Sequence, residues 1–196
     1  MIELINRGLV SLDANLGAST TEVIEHLAAM VAAAGRTTDA DALAADGKAR
    51  EAKTATGVPG GIAIPHCRST AVLEPTLAMA RLAPAVDFGA KDGPADLVFF
   101  IAAPEGADQA HLKLLSKLAR ALVKKSFTAA LRAATTEDKI VELVSAVLSD
   151  DPAVAAAAVA SSAPAAPAAA PAAEAAAPER KPRIVAVTAC PTGIAH

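Results

Sequence analysis

Apolar positions recur with two different periods over the first 150 residues, and the alternation between them outlines a fold. Ser19 to Glu22 reads Ser-Thr-Thr-Glu, a capping-box sequence placed directly before VIEHLAAMVAAA. In that run Val23, Leu27, Met30 and Val31 share one helical face, and Gly35 supplies the stop. Asp39 can cap a second helix reaching about Thr54, with Gly47 a weak point inside it. Strand-like runs follow at residues 61–64, 76–82 and 97–102, separated by loops that contain proline and glycine. Residues 108–125 form a strongly helical segment, and a last helix covers about 137–148. Helices interleaved with short strands predict an α/β fold, a single domain with a mixed β-sheet flanked by helices.

This pattern stops near residue 150. Between Pro152 and Pro178 the one charged residue is Glu174, and six of the 13 prolines fall between 152 and 182. Alanine and proline in that proportion cannot pack a core, so residues 151–182 are expected to be a disordered, semi-stiff linker. The sequence KPRIVAVTACPTGIAH follows, with a β-branched run at 184–188 and then a loop of small residues around Cys190. The expected organisation is a domain over 1–150, a linker over 151–182, and the first strand and loop of a second domain over 183–196.

Composition narrows the possible partners. Hydrophobic residues make up 53% of the 196, but aromatic residues only 2%, with no Trp or Tyr, so Leu, Ile, Val and Ala must build the core. Eighteen basic residues against 21 acidic ones give a net charge of −3. That balance lacks the basic surface and the stacking side chains that nucleic acids require, so no nucleic-acid partner is expected. The N-terminus has no long apolar core, and the alanine-rich stretch is too weakly apolar to span a bilayer. No direct membrane insertion is expected. Two cysteines 123 positions apart with no export signal read as thiols, which points to the cytoplasm.

The candidate chemistry centres on GVPGGIAIPHCRS, residues 57–69. Pro65 biases Ile64 toward an extended conformation, so IAI reads as a strand ending at the proline, with His66 presented at its end. His111 lies three positions past Asp108, in the first turn of the following helix, where the local field is positive and attracts an anion. Arg50 precedes the glycine loop, and its planar fork suits a phosphate; Thr54 and Thr56 could add hydroxyl donors. Each of these residues alone also fits an ordinary structural role. Two histidines and an arginine without a paired carboxylate suit phosphoryl transfer, which needs alignment and charge stabilisation more than proton transfer. Two other arrangements remain open. A metal site could use His66, Cys67 and His111, although adjacent ligands are awkward and no fourth is evident. A Cys67–His111 hydrolase would need an orienting third group that the sequence does not identify.

The motif GGIAIPH, with Arg50-Glu51 and TATG before it and His111-Leu-Lys-Leu-Leu after it, resembles the fructose/mannitol-type enzyme IIA domain. That domain belongs to the bacterial phosphoenolpyruvate-dependent sugar phosphotransferase system, and the resemblance covers about residues 1–150. It implies a mixed sheet flanked by helices, with His66 as phosphoryl acceptor, His111 stabilising the phosphoryl group and Arg50 contacting the phosphate. IVAVTACPTGIAH resembles the first strand and phosphate loop of a fructose-type enzyme IIB domain, whose phosphocysteine maps to Cys190. The helix expected after that loop is absent, so Cys190 is not expected to act in this chain. The resemblance further implies phospho-HPr as donor, enzyme IIB as acceptor, a membrane enzyme IIC for fructose uptake, and no metal or organic cofactor. It would place the domain in the cytoplasm, at the inner membrane face when docked. A nitrogen-related regulatory IIA paralogue, signalling through the same phosphohistidine, is the alternative.

Overall fold

The computed structural model describes residues 4–149, apart from the side chains of Asp108, Ala110 and His111. The expected linker and the segment with Cys190 lie outside the described residues. In chain order the elements are β1 (Val10–Ala14), α1 (Thr20–Ala33), α2 (Ala40–Lys53), β2 (Gly57–Val58), β3 (Ile62–Ala63), β4 (His66–Ser69), β5 (Thr76–Val86) and β6 (Ala95–Pro104). Three helices complete the domain: α3 (Asp108–Leu122), α4 (Lys125–Ala133) and α5 (Glu137–Leu148).

Local start signals are realised as the sequence implies. Ser19 Oγ accepts from the Glu22 N–H at 3.3 Å, and Glu22 accepts from the Ser19 N–H at 3.1 Å, closing the capping box on α1. Asp39 accepts from the N–H groups of Asp41 and Ala42, both at 3.0 Å, and starts α2. Gly47 is not the weak point expected inside that helix. It is buried, and a Cβ there would lie 2.9 Å from Ile24 Cγ2 and 3.2 Å from Phe100 Cε2. Its missing side chain lets α2 approach α1 and the sheet. Gly47→Val should therefore destabilise the domain by about 2 kcal/mol through overpacking. A lowered urea midpoint with unchanged slope would show this.

The sheet is mixed, with strand order β1-β5-β6-β3-β2 and β4 also pairing with β6. β5 and β6 run antiparallel, while β1 lies parallel to β5, and β3 and β4 lie parallel to β6. Every residue from Ala95 to Ala103 except Asp96 is buried. Because strand side chains alternate, burial at consecutive positions means that both faces of β6 are covered. α1 and α2 pack on each other, with α1 against β5 and α2 against β4, while α3, α4 and α5 pack together.

One feature corrects the expected strand over 61–64. Ile62 and Ala63 pair with Leu97 and Val98, and His66 and Cys67 pair with Ile101 and Ala102, all at one constant offset. β3 and β4 are therefore successive pieces of one line along β6, interrupted at Ile64–Pro65. Proline removes a single donor but keeps the chain extended, and its own carbonyl accepts from the Ile101 N–H at 3.0 Å. His66 thus opens a strand rather than closing one.

Candidate functional site

The hairpin ahead of His66 is fixed from three sides. Gly60 N–H donates to Asp92 at 2.7 Å. Arg132 on α4 donates to the Gly60 carbonyl at 2.7 Å and grips both oxygens of Asp96 at 2.6 and 2.7 Å. Gly61 sits at φ +72, and a Cβ there would come within 2.7 Å of Asp96 Oδ1, so glycine is required for this clamp. The paired glycines thus let β3 and β4 be pinned against β6.

His66 is half-buried, and its Nδ1 lies 2.9 Å from the Ile64 carbonyl oxygen. A carbonyl only accepts, so this contact assigns the proton to Nδ1 in the neutral ring and leaves the ring lone pair on Nε2. Alternation along β4 puts His66 and Arg68 on one face, with Cys67 and Ser69 buried on the other.

The face carrying His66 looks onto a cleft of about 560 Å³ between α2, β4 and the start of α3. Asp46, Arg50 and Lys53 line it from α2, at the i, i+4, i+7 spacing that stacks side chains on one helical face. Arg50 Nη1 lies 3.4 Å from the Thr54 carbonyl, in the last turn of α2, where the helix end favours a cation. Glu105, Leu112 and Leu115 close the far side. His111 occupies the first turn of α3, one residue before Leu112, and its side chain is outside those described. A larger groove of about 770 Å³ runs beside Val58, Ile62, Ile64, Leu122 and Val123. It is mostly apolar, with Lys125, Thr128 and Arg132 among its lining residues, and no histidine lines it.

Two candidate residues are otherwise engaged. The Thr56 hydroxyl donates to Glu51 Oε2 at 2.6 Å while its N–H donates to Glu51 Oε1 at 2.8 Å, so Thr56 ties α2 to the hairpin rather than facing an anion. No spacing signal reveals this role of Glu51, since the bond depends on how the chain turns after α2. Cys67 is 4% exposed and belongs to the core. Burial, with a smaller effect from the Asp46 charge, pushes its thiol up to about 12, so it is protonated near neutrality. That removes the nucleophile the hydrolase needs. Among the described residues, no group of three or more His, Cys, Asp or Glu could hold a metal ion. Iodoacetamide at pH 8 should leave Cys67 unmodified in the folded protein and alkylate it in urea, as read by peptide mass.

Fold and cleft together define an α/β domain that, among the described residues, presents one imidazole beside Arg50, Lys53 and Arg68, with Asp46 and Glu105 in the same lining. Residues 3–147 match the family described as "Phosphoenolpyruvate-dependent sugar phosphotransferase system, EIIA 2". The chain belongs to that family and is an EIIA phosphotransferase component, a phosphoryl carrier. It is 41% identical over 175 residues to the PTS system fructose-specific EIIABC component of Bacillus subtilis, covering 89% of this chain but 25% of that protein. The chain thus spans about a quarter of the length of that relative. It is 38% identical over 129 residues to a nitrogen regulatory protein of Pseudomonas aeruginosa, covering 65% of this chain and 84% of that one. The crystal structure of nitrogen regulatory protein IIA-Ntr from Neisseria meningitidis superposes with a TM-score of 0.67 at 30% identity, covering 75% of this chain and 97% of that one. Among the described residues no helix is long and apolar enough to cross a membrane.

Proposed function

We propose that His66 is the phosphoryl acceptor, loaded by the phosphohistidine of HPr and unloaded onto the cysteine of a fructose-type enzyme IIB. The observation that carries this reading is the shared cleft of His66 and Arg50, with the lone pair of His66 on Nε2. Nε2 attacks phosphorus as the donor N–P bond breaks, and that bond's electron pair returns to the donor nitrogen. The imidazole keeps its proton on Nδ1, where the Ile64 carbonyl offsets the positive charge that develops on the ring. Arg50 and His111 hold the phosphoryl oxygens. In the second step a thiolate of enzyme IIB takes phosphorus, and the pair returns to Nε2. No metal or organic cofactor enters either step.

Two observations bear on the pathway. The Bacillus subtilis alignment runs over 175 residues, beyond the 146 described here, and so includes part of the segment after α5. A 2-O-alpha-mannosyl-D-glycerate-specific EIIABC component of Escherichia coli aligns over 98% of this chain at 33% identity. Both favour a sugar-uptake arm in which IIB and a membrane IIC follow, with Cys190 at the position of the IIB phosphocysteine. The similar identity to nitrogen regulatory proteins supports the second reading, a regulator signalling through the same phosphohistidine. Mixing the loaded domain with a fructose-type IIB separates them. Movement of the label onto the IIB cysteine is expected; label that stays on the domain with every IIB tried would favour the regulator.

A further inference from the structure

Arg68 stands two residues beyond His66 on β4 and lines the same cleft. Strand rise puts the two Cα atoms about 6.6 Å apart, a separation an arginine side chain can bridge. The backbone at both positions is held in register by β6, with His66 opposite Ile101 and Arg68 opposite Ala103. The cleft therefore has a cation fixed on the same rigid element as the imidazole, while Arg50 and Lys53 approach from α2.

Charge counting gives this placement a purpose. Among the described residues lining the cleft, three cations, Arg50, Lys53 and Arg68, stand against two carboxylates, Asp46 and Glu105. A phosphoryl group brings about two negative charges, which the cations can absorb only if more than one reaches it. Lys53 offers a point charge, whereas Arg68 offers a fork that matches two phosphoryl oxygens at once.

On the carrier reading above, on which this step rests, we infer that Arg68 is a further phosphoryl-contacting residue. Its guanidinium donates two hydrogen bonds to oxygens of the group on His66 Nε2, from the strand side of the cleft and across from Arg50. It makes these bonds to the loaded state and to the transferring group, so it acts on the chemical step more than on docking.

Labelling by phosphoenolpyruvate, enzyme I and HPr tests this in wild type, Arg68→Gln and Arg68→Lys. The Gln variant should lose about tenfold in kcat with little change in the KM for phospho-HPr. The Lys variant should recover part of the loss, since it restores charge without the fork. The 31P resonance of the loaded Gln variant should be displaced from that of wild type. Equal kcat and an unmoved 31P resonance in Arg68→Gln would overturn the inference alone. A raised KM with kcat and resonance unchanged would overturn it too, making Arg68 a docking residue for HPr. Failure of wild type to load, or normal loading of His66→Ala, would overturn the carrier reading and this inference with it.

Discussion

A His66→Ala chain incubated with enzyme I, HPr and labelled phosphoenolpyruvate is expected to take up no label while remaining folded. The fold survives because His66 is half-buried and makes its Nδ1 contact with a backbone carbonyl two residues away. Losing the bond to Ile64 costs about 1 kcal/mol, a small part of the stability of a domain this size. Activity has no such cushion, because no other described histidine lines the cleft and the neighbouring Cys67 is buried and protonated. The geometry also specifies the atom. With Nδ1 donating to Ile64, the label should reside on Nε2, which imidazole nitrogen shifts in 15N-labelled protein would report. Label on Nδ1 would mean that the Ile64 contact breaks during loading and would remove the basis for the tautomer assigned here. Full labelling of His66→Ala would move the acceptor elsewhere, with His111 the next candidate.

What the sequence makes legible divides along the distance over which each signal acts. α1 and α2 are readable because Ser19, Glu22 and Asp39 bond within three residues of themselves. The buried runs of β5 and β6 are readable because they are apolar and bounded by turns. β2 and β4 are not, since strands of two and four residues exist by pairing with β3 and β6 rather than by composition. The same blindness hides that His66 begins a strand: continuity of register across Pro65 is a property of β6. α4 is absent from the pattern, whose helix over 108–125 ends where α4 begins, and the break at Val123–Lys124 has no glycine or proline to mark two helices. No spacing rule joins Arg50 to His66 either. The family motif suggests that pairing, and the cleft between α2 and β4 brings the two side chains to one surface.

Arg81→Met is the substitution expected to cost the fold most among those argued here, about 2–4 kcal/mol, although position 81 lies outside the cleft. Arg81 projects from β5 with its side chain only 12% exposed. It grips Asp13 through Nε and Nη2 at 2.7 and 2.6 Å. Its Nη1 lies 3.1, 2.8 and 2.7 Å from the carbonyls of Leu131, Arg132 and Ala134, the end of α4. One guanidinium therefore caps α4 and fastens it to β1, and methionine would fill the space while leaving those acceptors without their donor. The deficit should depend on pH. Hydrogen bonding to Arg81, reinforced by its charge and opposed by desolvation, holds the Asp13 carboxyl below its usual range. A depressed carboxyl contributes stability above its unfolded pKa and loses it as pH falls through the folded one. The gap between wild type and Arg81→Met should thus narrow from pH 7 toward pH 3, as read by urea midpoints. A gap independent of pH would leave the carbonyl cap as the whole effect and remove Asp13 from the account. The consequence reaches the site through α4, because Arg132, one residue from the capped carbonyl of Leu131, is the group that clamps Gly60. Loosening α4 frees the glycine hairpin, and the hairpin sets where β4 and His66 begin.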